Sequence, residues 1–471
     1  MIASDKAQML RGFLGSLPQS LAARLAKAVE VDRLAGGAAL PHDLILEGLR
    51  PVLRQMQTPE RTLTPLRLFT QPFEDLLTSE PRKHKQKGAI ARDSILPVWS
   101  WLSQKLAPEE LARYALAVKT AVLGYHPEEA RASAGEFWTA ASIVMRAALD
   151  SDAKCKSARA VLGSDLVVAD AQEIALLLAA GAELCEIQAK LPKPLPMLSD
   201  DYVWTLREIY DRLVASAPDA APYVAVAAMN RLERPWQALK LPLMITRNTQ
   251  DTLISSTDMG LVGELIFGDI ERHAAFDLSA KPQQPFDADA LIKHLVGFTT
   301  LSSGIVKEIE MRRDGKWGQR LLKDRAAVAD VMESFMERAP REIVAALPTH
   351  KTGSYAGGPR APDLSRPADP EKTVRALAFA RLIEGCKPVA AAGSFGASLK
   401  DASDEIALAL KSYGEDIVRE LRASDGERRA NAEQYFSVAA ELTALFFSPE
   451  EAEFLRRRGR AALGTNSMAA A

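Results

Sequence analysis

Cysteine is scarce in this chain. Cys155, Cys185 and Cys386 are the three cysteines among 471 residues. A disulfide framework or a thiolate zinc site needs closely spaced pairs of cysteines, and these three are too few and too scattered for either. We expect them to be small buried apolar side chains, and we predict no metal site.

Long apolar runs are missing as well. The longest candidate, 174–182, stops far short of the roughly 20 residues that a membrane-spanning helix needs. Near the N-terminus, Asp5 and Lys6 lie where a cleaved secretory signal would need an uninterrupted apolar core. We therefore expect a cytoplasmic protein with no membrane span.

Neither sign of charge is in excess. The chain contains 59 Lys and Arg against 61 Asp and Glu, which gives a formal net charge of −2 at pH 7. This balance argues against a protein that binds nucleic acid or anionic lipid with its whole surface. With 47% hydrophobic and 25% charged residues, the composition is that of an ordinary globular protein.

Signals for the start and end of helices recur along the chain. Pro108, followed by two acids, begins an amphipathic segment that Gly124 ends. Pro127 begins a second such segment directly afterwards, so we expect the two to pack antiparallel as a helical hairpin. Near the C-terminus, Ser448 and Glu451 form a capping box. Strand signals are few, and we predict an all-α fold built of helical hairpins.

The clearest boundary is a stretch rich in proline and glycine, 348–372. Such a stretch buries too little apolar surface to offset the entropy of ordering it. We therefore predict a flexible linker between a large irregular multi-helix domain and a small C-terminal helical bundle. The expected division is a large domain over 1–347, with two subdomains divided near 190–198 left open, a bundle over 373–464 and a disordered tail over 465–471.

Catalytic and cofactor motifs do not survive inspection of their context. Ser394 lies in a near match to the nucleophile elbow of hydrolases, but no histidine follows it in the chain to act as base. Gly353, Gly357 and Gly358 are not followed by the lysine and hydroxyl residue of a phosphate-binding loop. We predict no catalytic residues and no cofactor, and we leave open whether the chain is an enzyme.

An unusually polar segment, 246–258, interrupts an otherwise Ala- and Leu-rich chain. If it is helical, Asn248, Asp251 and Ser255 share one face, where buried polar groups would need partners or a ligand. The alternative is a surface turn in which Ser and Thr side chains bond to the local backbone. The candidate ligand-binding residues are Arg247, Asn248, Asp251, Ser255, Asp258, Glu264 and His273.

Two basic patches are candidates for binding an anionic partner. Pro81 and Gly88 flank the first patch and indicate a loop, and the second patch includes an aromatic side chain. Exposed loops with no such role are the alternative. The candidate residues are Arg82, Lys83, Lys85 and Lys87 in the first patch, and Arg312, Arg313, Lys316 and Trp317 in the second.

Three classes of function remain open. We favour a non-enzymatic interaction or scaffold protein that binds another protein, because long helical hairpins and a tethered bundle present surfaces. The first alternative is a small-ligand-binding protein or enzyme with a polar pocket between helices around residues 246–273. The second is a nucleic-acid-associated protein that uses its basic loops.

Overall fold

The chain folds into helices with almost no sheet. The computed structural model describes residues 2–53, 62–80, 83–247, 249–351 and 360–467, with side chains from residue 6 to residue 463 of those ranges. The described residues form 21 α-helices and four short strands, which confirms the predicted all-α fold. The chain divides into two compact units, Met1–Ile245 (unit 1) and Thr246–Ala471 (unit 2).

Unit 1 consists of helices of 6 to 22 residues, several of them joined by short 3₁₀ turns. The helices are α1 (Ile2–Gly15), α2 (Gln19–Ala35), α3 (His42–Leu53), α4 (Pro65–Thr70), α5 (Ile95–Trp101), α6 (Pro108–Leu123), α7 (Pro127–Ala148), α8 (Asp152–Leu162), α9 (Asp165–Ala179), α10 (Gly181–Lys190), α11 (Asp200–Ser216), α12 (Tyr223–Met229) and α13 (Lys240–Thr246). Strands β1 (Leu77–Thr78) and β2 (Ile90–Ala91) pair in parallel. The first three helices share a small core that includes Leu14, Ala22 and Leu49.

The predicted helical hairpin is present as α6 and α7. Each begins at a proline followed by two glutamates, whose charge complements the N-terminal end of the helix dipole. Between the helices, the rings of Tyr114 and Phe137 stack with centroids 4.3 Å apart. The Tyr114 hydroxyl donates to the Pro65 carbonyl oxygen at 2.8 Å, which attaches α4 to the pair. Local signals in the sequence therefore suffice to place the start of each helix in this hairpin.

Unit 2 contains the longest helices. They are α14 (Asp251–Ser255), α15 (Leu261–Ser279), α16 (Ala288–Glu308), α17 (Lys316–Ala345), α18 (Pro370–Cys386), α19 (Gly396–Ala423), α20 (Gly426–Phe446) and α21 (Pro449–Ser467). Strands β3 (Thr349–Lys351) and β4 (Arg360–Pro362) pair antiparallel. α15 packs on α16, α17 packs on both α18 and α19, and α20 packs on α21.

The predicted linker lies inside unit 2. Its residues 352–359, which include the three glycines, lie outside the described residues, and β3 and β4 flank them. The helices before and after the linker, α17 and α18, pack on each other. Its flexibility stays a prediction, as does the division of domains that we based on it.

An aromatic cluster explains why helices on both sides of this linker share one core. Phe286, Phe335 and Phe379 pack with ring centroids 4.9 to 6.0 Å apart. Arg375 of α18 donates to Glu342 of α17 at 2.6 Å. The compact unit begins near residue 246, far upstream of the C-terminal bundle expected from the sequence. Aromatic contacts between helices that are distant in the chain leave no local signal in the sequence from which this unit could be predicted.

Two helix starts in unit 2 are capped by side chains, and the second of them is the cap that the sequence predicts. Asp369 accepts the amide of Glu371 at 3.0 Å, and Ser448 accepts the amide of Glu451 at 3.2 Å. The last helix extends to Ser467, so it covers the start of the predicted tail. Residues 468–471 of that tail lie outside the described residues.

Candidate functional site

The first predicted basic patch contains a lysine that is engaged inside unit 1. Lys85 Nζ lies 2.7 Å from Asp170 Oδ1, and it also donates to Glu173 and, at 2.6 Å, to the Ala89 carbonyl oxygen. The lysine side chain is 20% exposed, whereas those of Asp170 and Glu173 are 0% and 5% exposed. Both acids lie on α9. The ion pairs therefore fix the 83–94 loop to that helix.

Backbone and hydroxyl groups complete this Lys85 cluster, which we define as Lys85 with its two acids on α9. The Ser94 hydroxyl and the Ala91 amide donate to the aspartate at 2.6 and 3.1 Å. The Gly88 amide and the Tyr223 hydroxyl donate to the glutamate at 2.6 and 2.5 Å. Burial, followed by the negative charge of the glutamate, raises the pKa of Tyr223, so the phenol stays a donor. Each carboxylate oxygen has a partner, as buried charges require.

The other two lysines of the first patch are on the surface. Lys83 and Lys87 are exposed, and Lys87 Nζ lies 5.9 Å from the centre of the Tyr223 ring. Arg82 lies outside the described residues. Anion binding by this patch stays a prediction, and it would have to proceed largely without the Lys85 ammonium.

The second predicted basic patch, in unit 2, contacts one of the predicted ligand-binding acids. Glu264 accepts from Trp317 Nε1 at 2.8 Å and from Lys316 Nζ at 3.1 Å. It also accepts from Arg320 Nη1 at 2.7 Å. Burial disfavours the ionised carboxyl, but these hydrogen bonds outweigh it and lower the pKa of Glu264. Glu264, predicted as a ligand-binding residue, and Lys316, predicted as part of a basic patch, thus belong to one ion-pair network.

The aromatic side chain of this patch is not on the surface. Trp317 is 0% exposed and packs on Gly263, where an added Cβ would lie 2.3 Å from the ring. Arg312 makes two hydrogen bonds to Asp314, at 3.0 and 2.8 Å. Arg313 is exposed. The indole is therefore not available to stack on a base, and the patch as a nucleic-acid surface stays a prediction without it.

The polar segment 246–258 is attached to the turn before α17. The Asp251 amide donates to the Glu310 carbonyl oxygen at 3.2 Å, and the Glu310 amide donates to that of Thr249 at 2.9 Å. The Asp251 side chain is fully buried, and its Oδ1 accepts the Arg312 amide at 3.2 Å. Its Oδ2 would lie 2.6 Å from a Cβ added to Gly315. The carboxylate thus lies beside the N-terminus of α17, where the helix dipole favours negative charge.

The hydroxyl groups of the segment bond to the nearby backbone. Ser255 donates to the Thr252 carbonyl oxygen at 3.2 Å, and Ser256 and Thr257 do the same three residues back, each at 2.9 Å. This is the pattern that the sequence offered as the alternative to a ligand site. Arg247 and Asp258 are exposed, and Asn248 lies outside the described residues. A ligand-binding role for this segment stays a prediction.

His273, the last candidate ligand-binding residue, pairs with a second histidine. His273 Nδ1 lies 3.1 Å from His294 Nδ1, and the His294 ring stacks on Phe276 with centroids 3.8 Å apart. Burial, followed by the charge of Lys293, lowers the pKa of His294. A hydrogen bond between the two Nδ1 atoms requires that one of them carries a proton and the other does not. Among the described residues, no group of three or more His, Cys, Asp or Glu is placed to hold a metal ion.

Unit 2 also carries an open apolar groove that the sequence did not indicate. We name it the α18 groove, and its volume is about 640 Å³. The groove lies between the N-terminal turns of α18 and the segment that precedes α16. Val374 of α18, which is 68% exposed, forms part of its surface. The groove is lined by Pro285, Phe286, Asp369, Pro370, Glu371, Lys372, Val374, Arg375 and Ala378.

The walls of the α18 groove are held by contacts within unit 2. Phe286 packs edge-on against Phe335 and Phe379 at 4.9 and 5.0 Å. Arg375 donates to the carbonyl oxygens of Pro282 and Gln283 as well as to Glu342. Burial disfavours the ionised Glu342, yet hydrogen bonds from the arginines outweigh it and lower the pKa of that carboxyl. Phe286 and Arg375, on the two sides of the groove, are therefore held in place by contacts within unit 2.

Comparison with family models, with curated proteins and with solved structures finds no match for this chain. Among the helices that the structure describes, none combines the length and the apolar character that crossing a membrane would require. Of the three cysteines, Cys386 is buried as expected, while Cys155 and Cys185 are partly exposed. Function must therefore be argued from the surfaces and clefts of the two units.

Proposed function

We propose that this protein is a non-enzymatic interaction protein whose α18 groove binds a segment of a partner protein. The observation that carries the proposal is Val374, an apolar side chain 68% exposed within a concave apolar surface. Isolated exposed apolar residues are common on proteins. An apolar side chain in a groove is a suitable contact for an anchor residue of a partner protein, because binding there removes water from the groove and from the anchor side chain together.

The charge at the rim of the groove supports a particular kind of occupant. Asp369 caps α18 and lies 4.0 Å from Lys372, and Glu342 pairs with Arg375 as well as with Arg338. Glu371 is exposed, and its carboxylate makes no hydrogen bond or ion pair among the described residues. Glu371 is thus the one rim carboxylate there that is open to a cation of the partner. We infer that the partner segment places a large apolar side chain against Val374 and a lysine or arginine beside Glu371.

A displayed peptide library, selected on the full-length protein, tests this proposal. We expect enrichment of peptides in which a large apolar residue neighbours Lys or Arg. Val374→Asp should weaken their binding at least tenfold, because it places a charge in the apolar contact. Leu408→Asp is the matched control, since Leu408 is 74% exposed on α19 and does not line the groove.

The rim charge has its own test. Glu371→Lys should remove the preference for basic residues while the apolar preference remains, because only the electrostatic part of recognition changes. The proposal is wrong if no peptides are enriched, or if the enriched peptides bind Val374→Asp and the unchanged protein equally well. Val374 and Glu371 are both exposed, so neither substitution is expected to disturb folding.

A further inference from the structure

A second cleft, in unit 1, has a different chemical character. Its volume is about 330 Å³, at the low end of the range of small-ligand sites, about 300 to 1,000 Å³. Three arginines from separate elements line it: Arg67 of α4, Arg92 just before α5 and Arg131 of α7. We name it the arginine cleft.

The three guanidinium groups differ in how far their charge is neutralised. Arg67 makes two hydrogen bonds to Glu30, at 2.8 and 3.1 Å, and is fixed by them. Arg131 pairs with Glu128, but that glutamate is 83% exposed, so water screens the pair and it holds the arginine weakly. Arg92 makes no ion pair or hydrogen bond with its side chain among the described residues. A ligand would therefore meet no competing ion pair at Arg92 and only a solvent-screened one at Arg131.

One acid lines the same cleft. Glu74, on the 3₁₀ helix Gln71–Leu76, is exposed and contributes a negative charge to the wall. It offsets one arginine at most. Glu30 and Glu128 each pair with one of the other two arginines, so Arg92 is the cleft arginine whose side chain has no ion-pair partner among the described residues.

The rest of the lining combines aliphatic side chains with Thr62, Thr70, Gln71 and Gln188. Leu63, Leu66, Leu77 and Ile95 line the cleft and are half-buried. Such a surface favours a ligand with an apolar body, because contact removes apolar area from water on both sides. The arginine guanidinium groups and the aliphatic side chains of the cleft together form an amphipathic site.

We propose that the arginine cleft binds a small organic oxyanion, with its carboxylate or phosphate on Arg92 and Arg131 and its apolar body on the leucines and Ile95. Guanidinium groups present paired donors that match the geometry of either oxyanion. This site is independent of the α18 groove, which belongs to the other unit. Its failure or success therefore leaves the proposed function of that groove untouched.

Calorimetric titration of the full-length protein with four compounds tests this inference. Benzoate and phenyl phosphate carry both features, inorganic phosphate carries the charge alone, and benzyl alcohol carries the ring alone. We expect benzoate or phenyl phosphate to bind at least tenfold more tightly than inorganic phosphate and benzyl alcohol. The stronger of the first two identifies the head group.

Variants locate the binding. Arg92→Gln and Arg131→Gln should each lower the affinity at least tenfold and weaken its dependence on salt, because each removes one charge contact. Arg159→Gln is the control, since Arg159 is 57% exposed on α8 and does not line the cleft. Equal binding of all four compounds, no binding of any, or unchanged affinity in both cleft variants would each overturn the proposal.

Discussion

Replacing Lys85 by methionine should destabilise unit 1 by about 3 kcal/mol, at the low end of the range of about 3 to 5 kcal/mol for breaking one side of a buried ion pair. The substitution keeps the aliphatic stem but leaves Asp170 and Glu173, which are 0% and 5% exposed, without a counter-charge. Hydrogen bonds from Ser94 and Tyr223 remain. They moderate the loss, because they still solvate the two carboxylates.

Thermal unfolding followed by circular dichroism measures this effect. For a unit of this size, a loss of 3 kcal/mol corresponds to a fall in Tm of about 6 to 12 °C. Lys83→Met is the control, because Lys83 is exposed in the same loop and such changes stay within about 0.5 kcal/mol. Adding Glu173→Gln to Lys85→Met should restore part of the loss, since it removes one uncompensated charge. Equal effects of Lys85→Met and Lys83→Met would refute the reasoning.

Three further outcomes are expected. Burial raises the pKa of Asp277 to about 8. The folded protein therefore keeps a proton on this carboxyl that the unfolded chain loses above about pH 4, and the free energy of unfolding falls as the pH rises from about 4 to about 8. Asp277→Asn should therefore stabilise by on the order of 4 kcal/mol at pH 7 and hardly at pH 4 in urea titrations; equal effects at both pH values would contradict this. Gly385→Ala should cost about 1 to 3 kcal/mol, because its Cβ would lie 2.3 Å from Ile292, whereas Gly414→Ala, with ordinary 3.6 Å contacts, should stabilise by up to about 1 kcal/mol. Equal Tm changes in the two glycine variants would exclude the packing explanation. Limited trypsin digestion should cut first within the predicted linker 348–372, and the fragments should co-elute in size-exclusion chromatography because α17 packs on α18; separation of the fragments would show that this packing is weak.

Helix ends are the part of the fold that the sequence predicts well, because their determinants are local. Pro108 and Pro127 each begin a helix as expected. Ser448 caps the last helix through an amide only three positions away. Gly385 shows where local signals mislead. A glycine near the end of a helix is typical of a stop, but α18 runs through Gly385 to Cys386. An added Cβ there would lie 2.3 Å from Ile292 of α16, so this glycine provides room for packing between the two helices.

Long-range pairing is the part that local patterns do not contain. Lys85 and Asp170 are 85 positions apart, so the lysine looks like one cation in a loop of cations. A partial signal is present in α9, where Asp170 and Glu173 occupy buried positions of a mostly apolar helix. Buried acids need a cation, which indicates that a partner exists but not which residue it is. The α18 groove has no comparable signal, because its two walls come from separate stretches of unit 2.

The distribution of internal ion pairs also bears on the nucleic-acid alternative. Phosphate contacts gain free energy by releasing counterions from the nucleic acid, and a cation already paired with a buried carboxylate must first give up that partner. Lys85 is paired in this way, whereas Lys83, Lys87 and Arg313 are exposed. Lys316 is also exposed, and its partner Glu264 is only partly buried, so water screens that pair. The first patch thus offers fewer cations than its sequence suggests. A surface with so few phosphate contacts would bind with a shallow salt dependence, which separates it from proteins that bind nucleic acid as their main task.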